Sequence, residues 1–132
     1  MSAFINSYRD LNVWQKSMEL ARMVYVLVKF LPKEELYALS DQMRRAVVSI
    51  PSNIAEGYYR NSTRDYIRFL SMAKGSLGEI ETQLFLCENF GYLKNEQISP
   101  ALAKCDEAGK MLTALINNLQ SKIEKKELKN EE

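Results

Sequence analysis

Of the side chains that most often carry enzyme chemistry, cysteine is scarce in this chain and histidine is missing altogether. Among 132 residues there is no histidine, so neither a Ser-His-Asp nor a Cys-His nucleophile can be assembled. The Glu-x-x-His pairs that hold di-iron centres in helical bundles are excluded for the same reason. Glu56, Glu79, Glu81 and Glu88 could in principle hold a metal or work as an acid and a base, but carboxylates on helical faces are ordinarily solvated or paired with arginine. Cys87 and Cys105 are too few for a disulfide framework and have no histidine with which to share zinc; both read as small core residues. Gly75-Ser76-Leu77-Gly78 falls inside a helical pattern and lacks the lysine and strand context of a phosphate loop. Its glycines each cost about 1 kcal/mol relative to alanine in a helix, so they are expected to admit a close helix contact. No enzymatic activity, cofactor or metal is expected.

Binding is better represented. Between Gln42 and Gly75, Arg44, Arg45, Arg60, Arg64, Arg68 and Lys74 face only Glu56 and Asp65, a local net charge of +4. Tyr58, Tyr59 and Tyr66 lie among the arginines, and aromatic rings between guanidinium groups are what single-stranded nucleic acid uses for stacking. These residues are candidates for contact with RNA, DNA or a protein partner. The alternative is that the arginines pair with Glu79, Glu81 or carboxylates of a neighbouring subunit, while the tyrosines pack at an interface. A polar row of Ser49, Asn53 and Glu56 also runs along one helix, where a buried Asn would fix register.

Four amphipathic segments must position these groups. In the first, Trp14, Met18, Ala21, Tyr25 and Val28 form one apolar stripe and Leu20, Val24, Leu27 and Leu31 a second beside it. Pro32 should end this helix, and Lys33-Glu34-Glu35 reads as a turn. The second segment runs from about Leu36 to Tyr59, with Leu36, Leu39, Met43, Ala46, Ile50 and Ile54 on one face. Pro51 falls inside it and predicts a kink, because a mid-helix proline removes a backbone hydrogen bond at roughly 3 kcal/mol. Arg60-Asn61 is the expected loop. Ser62 followed by Asp65 has the form of a capping box, and Tyr66, Leu70, Ala73, Leu77, Ile80, Leu84 and Cys87 then keep steps of four and three up to Gly91, a left-handed stop. Asn95 can cap the fourth helix, whose stripe runs from Ile98 to Ile123; the charged run 122–132 is expected to fray. Helices of about 20 to 28 residues joined by short connections favour an all-α, up-down-up-down four-helix bundle, a single domain over 1–121 with a charged C-terminal tail over 122–132.

The chain's 18 Lys and Arg against 17 Asp and Glu produce no strong overall field. No apolar run is long enough to span a bilayer, and the first residues, Met1-Ser2-Ala3-Phe4, do not form a secretory signal. A cytoplasmic location is expected. Phe4, Tyr8, Phe69 and Phe85 exceed what a monomer core needs, which points to self-association.

The stretch from Gln42 to Gly57, QMRRAVVSIPSNIAEG, closely resembles the signature of the bacterial 23S rRNA intervening-sequence proteins, historically labelled S23 ribosomal proteins. Tyr8-Arg9-Asp10-Leu11 with Val13-Trp14, Phe69-Leu70, Ala73-Lys74-Gly75-Ser76 and Glu79-Ile80-Glu81-Thr82-Gln83 extend the resemblance from Tyr8 to about Leu119. It implies a four-helix bundle assembled as a homo-oligomeric ring, a homopentamer, without catalytic activity. The family is similar in turn to the accessory variability determinant of diversity-generating retroelements, which forms a pentameric barrel and binds a reverse transcriptase and nucleic acid. The resulting expectation is a non-enzymatic scaffold or interaction module, the alternative being an RNA- or DNA-binding accessory protein.

Overall fold

The computed structural model describes residues 6–131, and Phe4 lies outside them. Four α-helices, α1 (Asn12–Leu27), α2 (Leu39–Tyr58), α3 (Thr63–Asn89) and α4 (Asn95–Glu131), are accompanied by short 3-10 turns at Tyr8–Asp10, Val28–Phe30 and Lys33–Glu35. Each helix packs on the next and α4 closes against α1, whereas the backbones of α1 and α3, and those of α2 and α4, stay apart across the bundle. Short connections and neighbouring contacts of this kind define an up-down-up-down four-helix bundle.

The core follows the sequence stripes closely. Leu20 and Val24 of α1, Met43, Val47, Ile50 and Ile54 of α2, the α3 series from Leu70 to Cys87, and Ile98, Cys105, Ala108 and Leu112 of α4 are buried together. Of the two α1 stripes, the one through Leu20, Val24, Leu27 and Leu31 enters the core; in the other, Trp14, Met18 and Ala21 are only half covered and Tyr25 is exposed, and Val28, in the 3-10 turn after α1, is buried. One helix has one inward direction, so the second stripe of an over-wide apolar arc must look elsewhere.

Two helix ends behave as local chemistry requires. Ser62 Oγ accepts the Asp65 N–H at 3.1 Å, and Gly91, at φ +80, lets the Tyr92 N–H turn back to the Cys87 carbonyl at 2.8 Å. Three other ends differ from the sequence reading. α2 begins at Leu39 rather than Leu36, because a 3-10 turn and the non-helical Ala38 (φ −121, ψ −105) precede it. Asn95 is already inside α4; the cap position belongs to Lys94, whose N–H is held by the Gln97 side chain at 2.8 Å. The segment from Lys122 does not fray within the described residues: α4 continues helical to Glu131, although nothing beyond Leu112 is fully buried. α2 runs as one helix through the buried Pro51.

Candidate functional site

The α2–α3 connection brings together the densest part of the arginine and tyrosine set. It can form because Gly57 is a glycine: a Cβ there would stand 2.8 Å from Phe69 Cβ and 3.0 Å from Tyr66 Cδ1. The close approach seats Phe69 in a buried position, so this ring is part of the monomer's own packing and not surplus to it. The guanidinium carbons of Arg60 and Arg68 lie 4.4 and 4.6 Å from its ring centroid, a cation–π arrangement on both counts.

The charges around this turn cancel. Arg60 pairs with Glu56 at 2.8 Å and reaches Asp65 at 3.5 Å, Arg68 pairs with Asp65 at 2.8 Å, and Arg64 pairs with Glu127 near the end of α4. Three arginines thus meet three carboxylates, and none of these partners is Glu79 or Glu81. Exposed pairs of this type each contribute about 0 to 1 kcal/mol. The +4 of the linear segment already counts Glu56 and Asp65; what folding adds is a partner for Arg64, Glu127 from 63 residues away, which comes with Lys126 beside it.

The remaining cations lie elsewhere. Arg44 donates to the Leu36 carbonyl at 3.1 Å and approaches Asp41 at 3.7 Å, and Arg45 pairs with Asp41 at 2.9 Å. Both stand about 22 Å along α2 from Arg60 at 1.5 Å per residue. Lys74 borders a shallow groove between α3 and α4 with Glu81, Asp106, Gly109 and Lys110. The eight candidate residues therefore form three separate groups and not one patch.

The tyrosines pack mainly on one another. Edge-to-face contacts run from Tyr66 to Tyr58 (6.2 Å between centroids), Tyr59 (5.7 Å), Tyr8 (5.8 Å) and Trp14 (5.4 Å), tying α3, α2 and the start of α1. Burial, reinforced by Tyr58, pushes the Tyr66 phenol up to about 12. Rings engaged in this way leave Tyr59, 68% exposed, as the one with most free surface.

Between α2 and α3 the polar row is partly real. Ser49 Oγ lies 2.8 Å from the Ala46 carbonyl and 2.5 Å from Ser76 Oγ, so it donates its single proton to the carbonyl and accepts from the Ser76 hydroxyl. Asn53 donates to the Ser49 carbonyl at 2.8 Å, while Glu56 turns away to Arg60. Gly75 and Gly78 do not admit an intrachain helix contact; a Cβ at either would meet nothing within 4 Å.

No cluster of three His, Cys, Asp or Glu side chains suited to a metal occurs among the described residues. Burial raises Cys87 to about 11 and Cys105 to about 12, with smaller contributions from Glu35 and Glu81. Neither thiol is poised as a nucleophile, since the thiolate is the reactive form. A hydrogen bond from Lys104 lowers Glu19, and the same bond raises Lys104.

An apolar surface is left uncovered at a seam between α1 and α2. Tyr8, Trp14, Met18 and Ala21 from one side and Val48 and Ala55 from the other line an apolar cavity of about 370 Å³ floored by Pro51. Val48 is 43% exposed there; Tyr25 (42%) stands one turn along α1 from Ala21, and Tyr59 packs edge-to-face on Tyr8 at 5.8 Å. The α2 side escaped the sequence reading although Val48, Ser52, Ala55 and Tyr59 keep steps of four and three, the same signal that marks the core stripe next to it.

The sequence pattern of the 23S rRNA-intervening sequence proteins matches residues 9–114. The chain belongs to this family. A solved structure of a protein with unknown function from the S23 ribosomal protein family of Bacteroides thetaiotaomicron is 31% identical to this chain, with a TM-score of 0.73 over 79% of this chain and 97% of that one. Among curated proteins nothing matches. As a 23S rRNA-intervening sequence protein the chain has all four helices of the bundle inside or overlapping the matched span, and among its described residues no helix is long and apolar enough to cross a membrane.

Proposed function

We propose that this member of the 23S rRNA-intervening sequence protein family is a non-enzymatic oligomeric scaffold or interaction module of the cytoplasm, assembling with copies of itself as a homopentameric ring. The observation that carries this reading is the α1/α2 seam. Trp14, Met18 and Val48, with Tyr25 and Tyr59 close by, leave an apolar strip uncovered on a small domain whose core is already full. Contiguous exposed apolar surface of this kind is what protein interfaces cover.

The absence of histidine and the raised thiols argue against catalysis. Cancellation of Arg60, Arg64 and Arg68 by Glu56, Asp65 and Glu127 favours the scaffold over the nucleic-acid reading, because phosphate contacts depend on uncompensated cations. Light-scattering mass of the purified protein tests the proposal. A multiple of the 15.2 kDa chain mass at micromolar concentration is expected; a monomer there would overturn it.

A further inference from the structure

A head-to-tail assembly needs two different surfaces that fit, and the bundle offers a second one. Beside its buried stripe, α3 carries an outer row at steps of four and three: Arg68, Met72, Gly75, Glu79, Thr82, Leu86. Met72 (46% exposed), Leu86 (38%) and Phe90 (54%) keep apolar surface in water along about 27 Å of helix. At its centre Gly75 leaves a notch. A glycine in an exposed helix interior costs about 1 kcal/mol, and among the described residues nothing lies within 4 Å of the space it opens.

We propose that the α1/α2 seam of one copy packs against this outer α3 row of a second copy, with an aromatic ring of the seam entering the notch at Gly75. This rests on the self-association proposed above and deepens it by naming the two faces. The shapes are complementary, since the seam is rich in large rings and the row offers glycine and threonine between its apolar ends. So are the charges. Arg22 and Lys29, one turn beyond Met18 and Tyr25, take part in no ion pair among the described residues, and neither does Glu79 in the middle of the row. Seating the row on the seam brings the unpaired carboxylate towards the unpaired cations.

The two faces also have a direction that closes. Counting about 100° of turn per residue around each helix of a square bundle places the seam and the α3 row on adjacent sides, roughly 100° apart. A head-to-tail contact between opposite sides would build a filament, whereas one between adjacent sides turns each copy relative to the last and closes a small ring.

Val48→Asp spoils the seam and Leu86→Asp spoils the row, both at partly exposed positions outside the core. Each variant alone is expected to sediment at 15.2 kDa, and an equimolar mixture at twice that mass, because each supplies the face the other lacks. Tyr25→Asp and Met72→Asp repeat the test from the same two surfaces, with far-UV circular dichroism confirming the fold. A monomeric wild type overturns the self-association and this pairing together. An oligomeric wild type whose mass survives in either variant overturns the pairing alone. Loss of mass in both without recovery on mixing marks a self-complementary contact and overturns the head-to-tail arrangement.

Discussion

Replacing Gly57 with alanine sets two effects of similar size against each other. Alanine is favoured over glycine by about 1 kcal/mol inside a helix, so an unobstructed position would be stabilised. At Gly57 the new methyl would lie 2.8 Å from Phe69 Cβ, 3.0 Å from Tyr66 Cδ1 and 3.2 Å from the Tyr66 carbonyl oxygen. The nearest atom sits on the first carbon of a buried side chain and the last is backbone, so neither yields by a rotamer change; α3 itself must shift. Overpacking of this kind costs roughly 1 to 3 kcal/mol, and the shift would also disturb the arginine contacts on Phe69. The net expectation is a loss of about 0 to 2 kcal/mol, up to about 7 °C in melting temperature for a chain of this length. Gly78→Ala is the internal control, because its methyl meets nothing within 4 Å; it should gain about 0.5 to 1 kcal/mol. Both are read by thermal melts followed by far-UV circular dichroism at one fixed protein concentration, since assembly makes the midpoint concentration-dependent. A Gly57→Ala protein as stable as the Gly78→Ala protein would refute the close-approach argument.

A double-mutant cycle on Arg64→Ala and Glu127→Ala should return a coupling below about 1 kcal/mol that shrinks further with added salt, as both side chains are more than half exposed; a larger, salt-insensitive value would contradict a solvated pair. Cys87 and Cys105 should resist a thiol reagent at neutral pH and react once the chain is unfolded, and rapid labelling of the folded protein would oppose their burial. For Tyr66 the phenol is neutral in both folded and unfolded chains below pH about 10, so it has no effect there; between about 10 and 12 the unfolded chain releases its proton first and stability falls. Urea midpoints of wild type and Tyr66→Phe across that window check the sign, the variant being expected to lose less. Gln83→Leu should be neutral or stabilising by up to about 1 kcal/mol, because Gln83 Oε1 is buried without a hydrogen-bond partner; a fall in melting temperature would indicate that the carbonyl is satisfied after all.

What the linear chain determined was whatever depends on near neighbours or on composition. Steps of four and three placed the buried residues of α2 and α3 because an α-helix repeats every 3.6 residues wherever it lies. Ser62 and Gly91 act on backbone groups within a few residues of themselves, so their roles could be read directly. The absence of histidine needs no fold to interpret.

Tertiary structure decided which of two equally apolar α1 stripes turns inward, since that depends on where α2 and α4 stand and not on the hydrophobicity of either row. It also neutralised the arginines: Asp65 is close in sequence, but Glu127 reaches Arg64 only because α4 stays helical far past Leu112 and runs back along α3. Phe69 changed from a spare ring to a buried one for a comparable reason, as the space that holds it exists only where Gly57 lets two helices touch. Charge balance and close packing are properties of points in space, and residues distant along the chain acquire a common position only when the bundle closes.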